Sequence, residues 1–471
     1  MSRAWFRILP LLLAGLALAG EPSWQSADER VSEDRWYLGM LNGQPSVSLR
    51  LTTWQRGDGW QRGRMEMQML IGRVLAGRDQ RMAFGTVQDY LSGSDGRVAA
   101  FRIEEDQNGS RTLAEGAIAI TATAAIVRSS VLRQGRRTPG RIVLPLTEAP
   151  LADQAAWQQL AGGATTARFT GIALLNGMVQ AMRTTAAIRP LDDGFEAVLT
   201  PDLMPIPLTV ELDRQGVLRR MQMQFGGLMR LDLKPVDAPP ALRAAGLDAG
   251  QLVRLAGPPP RPGDRTVFLL PAGAQVPSDE FQQISGTRAV VTSRSAAGAP
   301  ADPAPLLRAE AQLELDDPEL RTWVAAQAAG TATGSAAQAE RLRQAVRAHI
   351  TTKDLSQGDA SALETFRSRR GDCTEHANLL AAALRIAGIP ARVEVGIVYA
   401  PELGGFGGHA WVSAFAGGAW QHLDAAYPGI PRAHYLRLGS PGEGQAGAAM
   451  MGNLHRLAGR EIRVEGDGPG R

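Results

Sequence analysis

Between residues 36 and about 235, apolar and polar positions alternate in short runs separated by Gly, Asp and Asn. Residues 36–40 (Trp-Tyr-Leu-Gly-Met), 47–54 (Val-Ser-Leu-Arg-Leu-Thr-Thr-Trp), 64–70, 99–103, 195–199, 208–212 and 218–225 all follow this pattern. Successive side chains of a strand point to opposite faces, so the alternation predicts an antiparallel sheet with one solvated face. Asp-Gly pairs at 58–59, 95–96 and 193–194 fall where hairpin turns are needed. The runs 64–70 and 218–225 share alternating methionines, a hint of two related sheet halves, and residues 153–160 between them read as a short helix. Methionines at 65, 67, 69, 221 and 223 alternate along strands and read as core packing rather than ligand or metal binding.

Beyond residue 317 the period changes from two to that of a helix. Asp317-Pro318-Glu319 supplies a cap, a first-turn proline and an early acid for a helix to about residue 329. A second helix is expected over 335–349, with Leu342, Val346 and Ile350 on one stripe. Ser361-Ala-Leu-Glu364 is a capping-box pattern for a short third helix. A fourth opens at Asp372, has Glu375 three residues on, and stops at Gly388-Ile-Pro390. Residues 392–399 and 409–415 then alternate as strands, and residues 420–424 pair back through Ala-Gly-Gly-Ala. The expected fold class is α+β: an N-terminal antiparallel β-rich domain and a C-terminal domain with helices packed on an antiparallel sheet, helices first. The expected division is 1–19 export segment, 20–236 β-rich domain, 237–305 Pro/Ala/Gly-rich linker with a small β segment, 306–440 C-terminal domain and 441–471 tail.

Composition narrows the function classes. A formal charge of +3 over 471 residues is small, lysine occurs only at 234 and 353, and no basic block interleaves with aromatics. Nucleic acid is therefore not an expected partner. Arg3 and Arg7, an apolar run over 8–18 and Ala17-Leu18-Ala19 before Gly20 match a cleaved export signal. That run is short for a bilayer span and no later window reads as one, so a periplasmic or secreted protein without a transmembrane helix is expected.

One cysteine, Cys373, is present, within Arg369-Arg-Gly-Asp-Cys-Thr-Glu-His-Ala-Asn378. A single cysteine cannot form an internal disulfide, and a free thiol outside the cytoplasm is exposed to oxidation. Taken alone it reads as a small buried hydrophobe. Its context changes the reading: with Asp372 as cap, Cys373 lies in the first turn of a helix, where unpaired N–H groups and the dipole favour a thiolate and can hold an oxyanion. His409 follows Gly404-Gly-Phe-Gly-Gly408, read as a Gly-rich loop that presents the imidazole at a cleft edge. A tight hairpin between 409–415 and 420–424 brings Asp424 beside His409, the arrangement of nucleophile, base and orienter. Arg369 and Arg370 read as a solvated surface pair. His376 reads as a helix-packing residue, and His422 and His434 as residues with ordinary hydrogen bonds. Cys373, His376, His409 and His422 lack the paired spacings of structural zinc, so neither metal nor cofactor is expected.

Gly371-Asp-Cys-Thr-Glu-His-Ala377, the helix through Ile389-Pro-Ala-Arg392, Gly408-His-Ala-Trp411 and Trp420-Gln-His-Leu-Asp424 together resemble the bacterial transglutaminase-like superfamily, over roughly residues 310–440. The resemblance implies a papain-like core with Cys373 as nucleophile, His409 as general base and acid, and Asp424 as orienter. Where many members have Asp-Pro-Thr or Asp-Ala-Thr, this chain has Asp424-Ala-Ala-Tyr427. The implied activity is cleavage of an amide bond in a protein or peptide through a Cys thioacyl intermediate, resolved by water or by an amine. The alternative is a chemically silent periplasmic binding or scaffold protein that uses the β-rich domain for a partner.

Overall fold

The computed structural model describes residues 24–465, apart from 25, 76–77, 134, 162–163, 176, 248–251, 296–297, 354–359 and 442–444. The export segment expected at 1–19 lies outside the described residues.

The alternating runs become one antiparallel sheet. Its path of fourteen strands starts at the edge strand Arg136–Pro145 and runs back, hairpin by hairpin, to Arg30–Leu41. There it crosses to Met229–Val236, with Tyr37 opposite Pro235, and continues to the other edge, Thr166–Leu175. The two Met-alternating runs lie in Gln61–Leu75 and Leu218–Phe225, on opposite sides of this crossing. Tyr37, Val47, Leu49, Val210, Leu212 and Leu233 form the core, against which Met65, Met67, Met69 and Met221 pack. Met223 instead lines a cleft at the seam with the second half of the molecule. Helix α1 (Asp153–Ala161) contributes Leu160 and Trp157 to the same core.

In the C-terminal half, four helices open at the expected caps: α2 (Pro318–Ala328), α3 (Ala336–His349), α4 (Ala362–Ser368) and α5 (Cys373–Ile386). The Asp317 carboxylate accepts from the Glu319 and Leu320 N–H groups, and Ser361 and Glu364 close a reciprocal capping box. Each such cap is worth about 1 kcal/mol to its helix. Helix α5 is the centre of the domain: Leu379, Leu380, Ala383 and Leu384 are buried against α2, α3 and the strands Ala391–Ala400 and Gly405–Ala416. The described helices include none long and apolar enough to cross a membrane.

The sheet departs from the expected order of helices first and strands afterwards. Stretch 237–305, expected as a linker with a small β segment, sends Val253–Ala256, Arg265–Leu269, Gln282–Ser285 and Arg288–Thr292 into the C-terminal sheet. The tail after 440 folds as α6 (Gln445–Leu457) and the strand Glu461–Val464, which pairs with two of those strands. Proline and glycine interrupt any long periodic run, so composition shows a small β segment there but not its place in the C-terminal sheet. Long-range ladders and burial of Val253, Phe268, Val291 and Ile462 hold them instead. Glu394, fully buried, pairs with Arg392 and Arg437, and Arg392 also binds Glu280 from the former linker.

Among the described residues, polar contacts join the halves at two seams. Arg133 Nε lies 2.8 Å from the buried Glu364 carboxylate, and its Nη1 donates to Gln312. At the other seam, Gly226 N–H donates to His455 Nδ1 (3.0 Å) and Gly227 N–H to the Ala458 carbonyl (2.8 Å).

Candidate active site

Asp372 caps α5, so Cys373 is the first residue of the helix. The Asp372 carboxylate accepts from Thr374 N–H at 3.0 Å, and Glu375 Oε2 accepts from Asp372 N–H at 2.8 Å. The capping box uses the N–H groups of Thr374 and Glu375. Cys373 N–H therefore remains as the first-turn donor outside the box. Glu375 is fully buried and also accepts from Ala360 N–H. Burial, with Asp372 beside it, pushes its carboxyl up to about 9. The Cys373 side chain is partly exposed and packs at the rim of the α5 core.

His409 stands on the strand Gly405–Ala416, opposite Gly396 of Ala391–Ala400. The Gly-rich segment before it is no loop: Gly405 to Gly408 pair with residues 397–400, and Gly405 and Phe406 also pair with Val253–Ala256. Gly396 is needed here, because a Cβ would lie 2.1 Å from the Leu436 carbonyl and 2.8 Å from the Trp411 ring. The strand returns through Gly417-Gly418, both with positive φ (63° and 80°), the two-residue turn that matches strand twist. In the resulting register Val412 faces Leu423 and Ser413 faces His422, which sets Asp424 just past the ladder, beside His409.

The three residues singled out in the sequence meet. His409 Nε2 is 2.7 Å from Asp424 Oδ2, with both side chains buried. Cys373 lies close enough to the same imidazole for its sulfur to raise the ring's pKa. Since Nε2 is committed to Asp424, the ring nitrogen that remains for sulfur is Nδ1. Burial alone would lower the pKa of His409; the bond to Asp424 and the nearby Cys373 sulfur outweigh it and raise the pKa to about 10. Burial likewise opposes ionisation of Asp424, but His409 and its other donors hold that carboxyl well below the usual range.

Sequence reasoning missed those other donors. Asp424 Oδ1 accepts from the N–H groups of Ala426 (2.8 Å) and Tyr427 (2.9 Å), and Tyr435 Oη donates to Oδ2 at 2.7 Å. Arg343 and Arg347, one turn apart on α3, donate to the backbone carbonyls of Asp424 and Ala426. Only the stretch Asp424-Ala-Ala-Tyr427 carried a prior signal, as the departure from the Asp-Pro-Thr pattern, and it ends in Tyr427. Its ring meets His409 edge-on with centroids 5.4 Å apart, and Lys353 Nζ sits 4.4 Å above it.

The remaining histidines divide. His376 bonds the Asp372 carbonyl through Nδ1, and His434 the Arg261 carbonyl through Nε2. His422 departs from expectation: both ring nitrogens are buried without a hydrogen-bond partner among the described residues, between Tyr435, Trp411 and Phe281. Burial and nearby Arg432 keep it neutral, with its pKa well below the ordinary value. Among the described residues, no group of three or more His, Cys, Asp or Glu is arranged to hold a metal ion.

Residues 322–425 match the model of the transglutaminase-like superfamily, so this C-terminal region is transglutaminase-like. No curated protein is significantly similar to the chain. Among solved structures, a candidate cysteine protease from Cytophaga hutchinsonii aligns at 16% identity over 43% of this chain and 81% of its own, with a TM-score of 0.31. A β-barrel-like protein of a domain of unknown function from Brucella abortus aligns at 14% identity over 44% of this chain and 98% of its own, also at 0.31. A candidate protease from Parabacteroides distasonis aligns at 12% identity over 78% and 64%, at 0.21. These similarities are too loose to bear on mechanism.

Proposed function

We propose that the protein is an exported thiol enzyme that breaks amide bonds of a protein or peptide outside the cytoplasm through a Cys373 thioester. The observation that carries this reading is the line Asp424–His409–Cys373, in which the imidazole is anchored at 2.7 Å and the sulfur remains accessible at a helix start. The raised pKa of His409 favours an imidazolium beside the sulfur, the protonation state from which a thiolate attacks.

In this mechanism the Cys373 thiolate adds to the amide carbonyl, and Cys373 N–H takes the oxyanion. His409 gives the proton on Nδ1 to the departing nitrogen, the C–N bond breaks, and an amine leaves with a thioester on the enzyme. Water or a second amine then attacks the thioester, His409 takes the attacker's proton at Nδ1, and the acid or new amide departs from sulfur. Asp424 keeps the ring aimed and offsets its charge throughout. Hydrolysis and transamidation differ only in which nucleophile reaches the thioester. The charge run and apolar stretch at the N-terminus support export.

Active-site thiol labelling tests the reading. Iodoacetamide should modify Cys373 rapidly at neutral pH, and His409→Ala should slow this by at least tenfold. Peptide turnover with and without an added primary amine then separates hydrolysis from amine transfer. Labelling indifferent to His409→Ala, with no turnover of a peptide library, would favour a chemically silent scaffold.

A further inference from the structure

We propose that the cleft between the β-rich sheet and α6 is a binding site for a small polyanion, one that carries two or more phosphate or carboxylate groups. The cleft holds about 950 Å³, within the range of small-molecule sites. One wall is the sheet, with Thr209, Gln222, Gln224 and Arg230; the other is the end of α6 and the turn after it, with His455, Arg456 and Arg460. Among the described residues, no Asp or Glu lines it.

Several arginines on the same elements or beside them are paired. Arg219 lies 2.7 Å from Asp193, Arg220 2.8 Å from Asp232, Arg183 2.7 Å from Glu148 and Arg254 3.3 Å from Glu461. Arg230, Arg456 and Arg460 have no ion-pair partner among the described residues, although Asp232 stands two residues from Arg230, held bidentately by Arg220. A cation near a helix C-terminus complements the helix dipole, which accounts for Arg456 alone. It does not explain Arg230, on a strand of the other half, or Arg460, beyond the helix.

His455 adds a donor. Its Nδ1 accepts from Gly226 N–H, so the neutral ring carries its proton on Nε2. Burial and Arg456 lower its pKa, which favours that neutral form. The walls thus offer guanidinium forks, an imidazole N–H and two carboxamides, and no carboxylate to repel an anion. Guanidinium forks match both phosphate and carboxylate oxygens. Because the arginines come from both halves, a multiply charged ligand would bridge the seam; a monovalent ion would not.

Calorimetric titration of the full chain with inorganic pyrophosphate and, separately, with citrate tests this. Saturable one-to-one binding of either is expected; pyrophosphate alone would mark the ligand as a phosphate compound, citrate alone as a carboxylate. Arg230→Gln and Arg456→Gln should each weaken binding about tenfold, since each removes a charge-assisted contact. Arg219→Gln, on the paired surface nearby, should change it less than about twofold. Absence of saturable binding by both anions would overturn the proposal, as would affinity that ignores Arg230→Gln and Arg456→Gln or falls equally with Arg219→Gln.

Discussion

Asp424 and His409 are joined at 2.7 Å, and the carboxylate that makes this bond has no acceptor site left to spare. Two backbone N–H groups occupy Oδ1, and Tyr435 shares Oδ2 with the imidazole. A carboxylate held by four donors stays ionised and cannot rotate, so the ring it holds keeps one tautomer and one direction.

Asp424→Asn should reduce turnover by about 10²–10⁴-fold, because an amide cannot offset an imidazolium and can favour the wrong tautomer. Asp424→Ala should also lose stability, by about 1–3 kcal/mol for a buried donor left unpaired. Circular dichroism melts beside kinetics separate the two effects. A fully active Asn variant would remove Asp424 from the mechanism.

Tyr435→Phe deletes one donor to Asp424 and leaves the packing of the ring against His422 and Trp411. A cost of about 1 kcal/mol, or on the order of fivefold in turnover, is expected with an unchanged Michaelis constant. A changed Michaelis constant with unchanged turnover would mean that Tyr435 acts on substrate instead.

The pKa of His409 is raised in the fold from 6.5 to about 10, so its contribution to stability is complete below pH 6.5 and fades as pH rises toward 10. Asp424 is depressed from 3.8, so its contribution is present above that value and is lost on further acidification. Melting temperatures of the wild type and His409→Gln, compared from pH 6 to pH 10, should therefore converge. A gap that stays constant across this range would contradict the ion pair.

His422→Phe exchanges a buried imidazole with no hydrogen-bond partner among the described residues for a ring of similar shape among aromatic neighbours. Stability should stay within about 1 kcal/mol of the wild type or rise, since an unsatisfied polar group is removed. Chemical denaturation reads this directly. A loss above about 2 kcal/mol would reveal a hydrogen bond that the ring makes in solution.

Arg133→Met leaves the Glu364 carboxylate buried at the seam without its cation, which should cost about 2–4 kcal/mol. Adding Glu364→Gln should recover part of that loss. If the double variant is no better than Arg133→Met, the pair does not hold the halves together.

Local pattern was enough to determine much of this protein. Alternation named the β-rich half, caps at Asp317, Ser361 and Asp372 located helix starts, and two glycines at 417–418 defined the hairpin that sets Asp424 near His409. These are events within a few residues of chain, governed by periodicity, capping and turn geometry. Long-range pairing decided the rest. In the Pro/Gly-rich stretch the small β segment was legible, but Val253–Ala256 was not: it pairs only with partners 150 or more residues away, as Arg254 does with Gly405, so composition read it as part of the linker. The same holds at the site: Tyr435, Arg343 and Arg347 reach Asp424 from separate elements, and His422 lost its expected partners to an aromatic enclosure. Which donors surround a carboxylate, and which rings close over an imidazole, depends on packing between distant segments that no local period encodes.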